Sequence, residues 1–66
     1  MRLLINGEER QIDAATVSAL VEQLGMKADR VAVELNHEIV PRTNWPTASL
    51  KDGDKLEIVH FVGGGC

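Results

Sequence analysis

The sequence predicts an α+β fold in which one helix lies across one face of a small mixed β-sheet. Three observations carry this reading. Short apolar stretches of strand length recur from the first residues to the last. One segment alone, starting at Val17, has helical periodicity. Asn6-Gly7 and Asp52-Gly53 punctuate the strands as tight turns.

Arg2-Leu3-Leu4-Ile5-Asn6 reads as the first strand. Asn6-Gly7 is a favoured two-residue hairpin turn because both residues tolerate positive φ. Arg10-Gln11-Ile12-Asp13 is then expected as the returning strand. Thr16 stands where an N-cap belongs. Val17, Leu20, Val21 and Leu24 fall at i, i+3, i+4 and i+7, one face of a helix packed on the core. Gly25 comes next, as the residue that ends the helix in a left-handed conformation.

Val31 to Asn36 alternates as a third strand, with Val31, Val33 and Leu35 on one face. Asn36-His37-Glu38 makes a turn, Ile39-Val40 is a strand fragment, and Pro41 limits further pairing. Thr43 to Thr47 is a loop or one helical turn, with Trp45 tucked against the edge of the core. After the turn at Leu50–Asp54, Lys55 to Val62 forms the last strand. Its period of two points Leu56 and Ile58 inward, and Glu57, Val59 and Phe61 outward. Val59 and Phe61 are therefore expected to form a docking patch for a partner. The helix is expected to cross over, right-handed, from the second strand to a parallel neighbour. The expected division is a folded domain at 1–62 and a flexible Gly-rich tail at 63–66.

At 66 residues there is room for one core, and a domain near this size buries only about 60% of its unfolded surface. Such a chain rarely encloses a catalytic pocket as well, so the expectation is a carrier or binding module and not an enzyme. Ten acidic against seven basic side chains, net −3, oppose nucleic-acid binding and offer no polybasic patch to a membrane. An acidic face still suits a basic partner. One cysteine precludes an internal disulfide and suits a reducing cytosol. Met1 leads straight into a strand, with no leader pattern, and no apolar run reaches the ~20 residues of a bilayer span. The expected location is the cytoplasm. His37, His60 and Cys66 lack metal-ligand spacing, so no metal site and no bound cofactor are expected. No nucleophile–base grouping is present either, which leaves the backbone as the source of chemistry.

The chain closes on His60-Phe61-Val62-Gly63-Gly64-Gly65-Cys66. Glycines lack Cβ and so fit a channel too narrow for side chains, while presenting a carboxylate at the end. With Leu4-Ile5-Asn6-Gly7, Leu20 and Leu24, Val33-Glu34-Leu35-Asn36, Glu38-Ile39-Val40-Pro41-Arg42, Trp45, Lys51-Asp52-Gly53-Asp54 and Glu57 to Gly65, the whole chain resembles the thiamin-biosynthesis sulfur carrier family, ThiS. The resemblance implies a β-grasp, ubiquitin-like fold. It also implies a terminal glycine, Gly65 here, that a ubiquitin-activating-type adenylyltransferase activates with ATP as its own co-substrate. A sulfur donor, such as the persulfide of a cysteine desulfurase, then converts the acyl adenylate to a thiocarboxylate for thiazole synthase. Gly63 and Gly64 would thread the partner's channel.

Cys66 departs from the family pattern, because it ties up the Gly65 carboxylate as an amide. Three accounts stand: a peptidase trims Cys66, Cys66 is an appended residue for labelling or ligation, or its thiol takes part by an N-to-S acyl shift. Trimming is favoured. The alternatives to the thiamin carrier are a small subunit of the molybdopterin-synthase type and a ubiquitin-like modifier or interaction module.

Overall fold

The computed structural model describes residues 1–61. Its strands are β1 (Arg2–Ile5), β2 (Glu8–Gln11), β3 (Val31–Leu35), β4 (Glu38–Ile39) and β5 (Lys55–His60), and its helix is α1 (Val17–Gln23). Short 3-10 helices occupy Ala28–Arg30 and Arg42–Thr47. The five strands form one sheet in the order β2-β1-β5-β3-β4. β5 runs parallel to β1 and antiparallel to β3, while β1–β2 and β3–β4 are antiparallel pairs.

The hairpin turn is as tight as its residues predict, with φ of 51° at Asn6 and 81° at Gly7. That tightness corrects the expected second strand. Pairing begins immediately after the turn, Ile5 opposite Glu8 and Arg2 opposite Gln11, so β2 is Glu8–Gln11 and not Arg10–Asp13. All of β2 is exposed, and Ile12 packs on the core from just beyond it. Turn geometry thus outweighs the apolar residue that suggested a later strand.

Thr16 caps α1 as expected, its Oγ1 accepting from the Ala19 N–H at 3.2 Å. Val17, Leu20 and Val21 are buried, Leu24 is half-buried at the C-cap, and Gly25 stands next to it at φ 74°. Backbone bonds from Val17 N to Ala48 O and from Leu50 N to Ala15 O tie the start of the helix to the segment before β5. The crossover expectation needs one correction. α1 leads from β2 to β3, which run in the same direction, but they are not neighbours because β1 and β5 lie between them. A last strand that inserts centrally gains two partners, a pairing no local pattern announces.

The core gathers Leu3 and Ile5 of β1, Val17, Leu20 and Val21 of α1, Val31 and Val33 of β3, and Leu56 and Ile58 of β5, with Ala14, Trp45 and Leu50. Trp45 sits in the Arg42–Thr47 helix and is only 4% exposed, its Nε1 donating to Val40 O at 2.9 Å. Its ring therefore belongs to the core itself and not only to its edge. The other displacements are small: β3 stops at Leu35, with Asn36 and His37 turning at positive φ, and β4 takes Glu38–Ile39 instead of Ile39-Val40. β5 ends at His60, so Phe61 lies one residue past the strand. The expected extension to Val62 and the tail at 63–66 lie outside the described residues.

Candidate functional site

The site begins where β5 delivers the chain to its terminus. On one side β3 pairs with β5 along its whole usable length, ending with Val31 opposite His60. The Phe61 N–H then donates to Arg30 O at 2.9 Å. On the other side, β1 pairs Leu4 and Ile5 with Lys55 and Leu56 and then turns away at Asn6. There the Asn6 side chain replaces the missing backbone. Its Nδ2 donates to Ile58 O at 3.0 Å and its Oδ1 accepts from Ile58 N at 2.7 Å. One amide, donor and acceptor together, supplies the two bonds that a continued β1 would make to Ile58 through two different residues. Only this orientation of the amide satisfies both groups of Ile58. The sequence presents Asn6 as a strand end and a turn residue, and local reasoning misses its clamp on β5. The signal that could find it is a side-chain amide standing where a strand next to the tail runs out.

The other end of β5 is fixed by a second polar cluster. Asp54, 6% exposed, accepts from Lys51 N at 2.8 Å and from Asn36 Nδ2 at 3.2 Å. Asn36 also accepts from Lys55 N at 3.1 Å and donates its own N–H to Lys55 O at 2.7 Å. Asp52 accepts the Arg2 N–H at 2.6 Å. No buried side-chain polar atom among the described residues lacks a partner. Side-chain amides and a buried carboxylate therefore hold β5 at its start and again at Ile58, two residues before its end.

Leu56 and Ile58 are buried, while Val59 is 57% and Phe61 52% exposed, as the alternation predicts. The register carries the outer face further: Ala32 stands opposite Val59, Glu34 opposite Glu57, and Ile39 opposite Glu34. Ile39, on the same face, is the third large apolar side chain left in solvent among the described residues. Phe61 is placed differently. It lines a groove of about 660 Å³ together with Leu24, Gly25, Met26, Lys27, Arg30 and His60, and Val59 is not part of that lining. The two residues expected to form one patch thus border two surfaces.

His60 lies exposed in that groove and His37 in the β3–β4 turn. No group of His, Cys, Asp and Glu among the described residues can hold a metal ion, and no helix there is long and apolar enough to cross a membrane. The Asp13 carboxyl has its pKa lowered. A hydrogen bond from the Met1 ammonium at 2.7 Å, and the charge of that ammonium, hold it below the usual carboxylate value. Gly63, Gly64, Gly65 and Cys66, the expected chemical end of the site, lie outside the described residues.

Against known proteins, the profile of the ThiS family matches residues 3–65. The chain belongs to the ThiS family. It is 35% identical to the sulfur carrier protein ThiS of Escherichia coli, covering 98% of this chain and 100% of that one. The crystal structure of the thiamine biosynthesis protein ThiS from Geobacter metallireducens superposes with a TM-score of 0.83 at 38% identity, covering 98% of this chain and 100% of that one. The mixed sheet with one main helix is thus the β-grasp fold of this family. A further relative is larger. The chain is 54% identical to a stretch of a thiazole synthase from Paramagnetospirillum magneticum, covering 98% of this chain but 20% of that protein. The chain therefore spans about a fifth of that relative's length.

Proposed function

We propose that this protein is the sulfur carrier of thiazole formation in thiamin biosynthesis, a covalent co-substrate and not an enzyme. The observation that carries the proposal is the family match from residue 3 through Gly65, which runs into the glycine tail on a body that holds β5 on both sides.

The chemistry starts with hydrolysis of the Gly65–Cys66 amide, which frees the Gly65 carboxylate. A carboxylate is a poor electrophile. Its oxygen attacks the α-phosphate of ATP on an adenylyltransferase, pyrophosphate leaves, and the acyl carbon gains AMP as a leaving group. A persulfide sulfur from the donor displaces AMP to give an acyl persulfide. A thiol then cleaves the S–S bond, releasing the thiocarboxylate and a disulfide. Thiazole synthase takes the sulfur, and the occurrence of a closely similar stretch inside a protein named thiazole synthase supports that partnership.

The body's part is positional. Binding energy from the folded domain raises the effective concentration of the acyl group at each partner's reacting centre. Gly63 and Gly64 carry no side chains and so suit a narrow channel. The outer face sets Glu57, Glu34 and Ile39 in one row across β5, β3 and β4, with Val59 two residues along β5 and Phe61 beyond it, and so offers apolar anchors beside negative charge. That combination suits partners with basic, apolar surfaces.

Intact-mass measurement tests the reading. Protein ending at Gly65, incubated with adenylyltransferase, ATP and a persulfide donor, should gain the mass difference between sulfur and oxygen. Full-length protein should not gain it without a peptidase. Thiolation of the full-length chain on Cys66 itself would overturn the trimming step, and absence of any gain at Gly65 would overturn the carrier role.

A further inference from the structure

The groove beside Phe61 has a chemistry opposite to that of the sheet face. Its floor is apolar, from Leu24, Met26 and Phe61, and its rim carries Lys27, Arg30 and His60. No carboxylate of the described residues lines it, in a chain whose net charge is −3. Among the described residues the ion pairs are Met1–Asp13 and Arg2–Glu9, so Lys27 and Arg30 pair with no described carboxylate. The end of α1 does not supply the recognition. Its last carbonyls already accept backbone N–H groups, Leu20 O from Leu24, Glu22 O from Gly25 and Val21 O from Met26. Gly25 opens the wall: its φ of 74° suits glycine, and a Cβ there would meet nothing within 4 Å. At about 660 Å³ the groove falls within the ~300–1,000 Å³ range of ligand clefts.

From this we propose that the groove is a second docking surface, whose occupant is an acidic segment of a partner protein carrying an apolar or aromatic side chain. The apolar side chain enters between Leu24, Met26 and Phe61, and its flanking carboxylates meet Lys27 and Arg30. Charge complementarity selects the sign of the partner: a basic segment is repelled by the rim, and a neutral one leaves the cations without a counterpart. The proposal goes beyond sulfur transfer and does not depend on what the tail carries.

The test is amide chemical-shift mapping of the full chain with a short synthetic peptide in which Asp and Glu flank a central Leu-Phe pair. Shifts are expected at Leu24–Lys27, Arg30, His60 and Phe61. They should vanish when salt is raised to about 1 M, where the Debye length is ~3 Å. They should weaken roughly tenfold in the double variant Lys27→Glu/Arg30→Glu. Both residues are exposed, so the variant should keep its dispersed core resonances. No shifts, shifts confined to the outer sheet face, or equal shifts with a Lys-flanked peptide would overturn the proposal. So would groove shifts without peptide, whether on truncation after residue 61 (the chain's own tail as occupant) or on dilution (a second copy). Because the readout involves no adenylation, its failure is separable from failure of the carrier function.

Discussion

The two faces of β5 differ more sharply than any two regions of the molecule. Leu56 and Ile58 point into the core and are nearly inaccessible, while Glu57 and Val59, one residue away in each case, stand in solvent. The inward residues are held by packing, and a polar group there would have no partner. The outward ones make no demand on the fold, yet Val59, Ile39 and Phe61 keep apolar surface in water. Hydrophobic burial explains the first set and not the second. The strand teaches that stability and recognition share one element by alternating along it.

The largest effect is expected from Ile58→Asp. A charge would enter a core with no cation facing it, and the domain should unfold, seen as loss of cooperative melting by circular dichroism. A folded Ile58→Asp protein with a normal melting transition would reverse the assignment of the faces.

Next in size is Asn6→Ala. It removes both bonds to Ile58 and leaves the N–H and C=O of Ile58 without partners on that side. The expected loss is about 1–3 kcal/mol by chemical denaturation. Hydrogen exchange should quicken at Ile58 more than at Leu3 or Val33. Asn6→Asp sharpens the point, because it keeps the acceptor for Ile58 N while losing the donor to Ile58 O. An Asn6→Ala protein with unchanged exchange at Ile58 would mean that β3 alone holds the strand.

A smaller effect lies at the other end of the chain. The Asp13 carboxyl is held below its ordinary value by the Met1 ammonium, so its contribution is present above the unfolded carboxylate pKa of about 3.9. That contribution disappears as pH falls through the lower folded value. Asp13→Asn, in protein retaining the free Met1 amine, should melt slightly lower at neutral pH and converge with the parent in acid. A gap that widens toward low pH would contradict the sign. Since Asp13 is exposed, the difference should be small.

The smallest effect on stability is expected from Phe61→Asp. Phe61 is half exposed and beyond the strand, so the thermal midpoint should hardly move. The same substitution should weaken partner binding by roughly tenfold or more in calorimetry, since it replaces an aromatic anchor with a charge. Unchanged affinity would remove Phe61 from the interface.

The sequence alone was sufficient for features whose causes are local. Asn6-Gly7 dictates its hairpin through φ, Thr16 caps through its own hydroxyl, and alternation in Val31–Leu35 and Lys55–His60 sorts inside from outside. Where β5 inserts is visible only in the folded chain, and with it the pairing of residues more than fifty positions apart, Asn6 with Ile58. The folded chain alone also shows that Asp54 is buried and that Trp45 belongs to the core. The basic groove is of the same kind, because Lys27, Arg30, His60 and Phe61 meet only when β3 and β5 pair beside the end of α1. Local conformation is settled by each residue's own sterics and hydrogen bonds. Long-range pairing is settled by which burial satisfies the whole sheet at once, and no single segment holds that information.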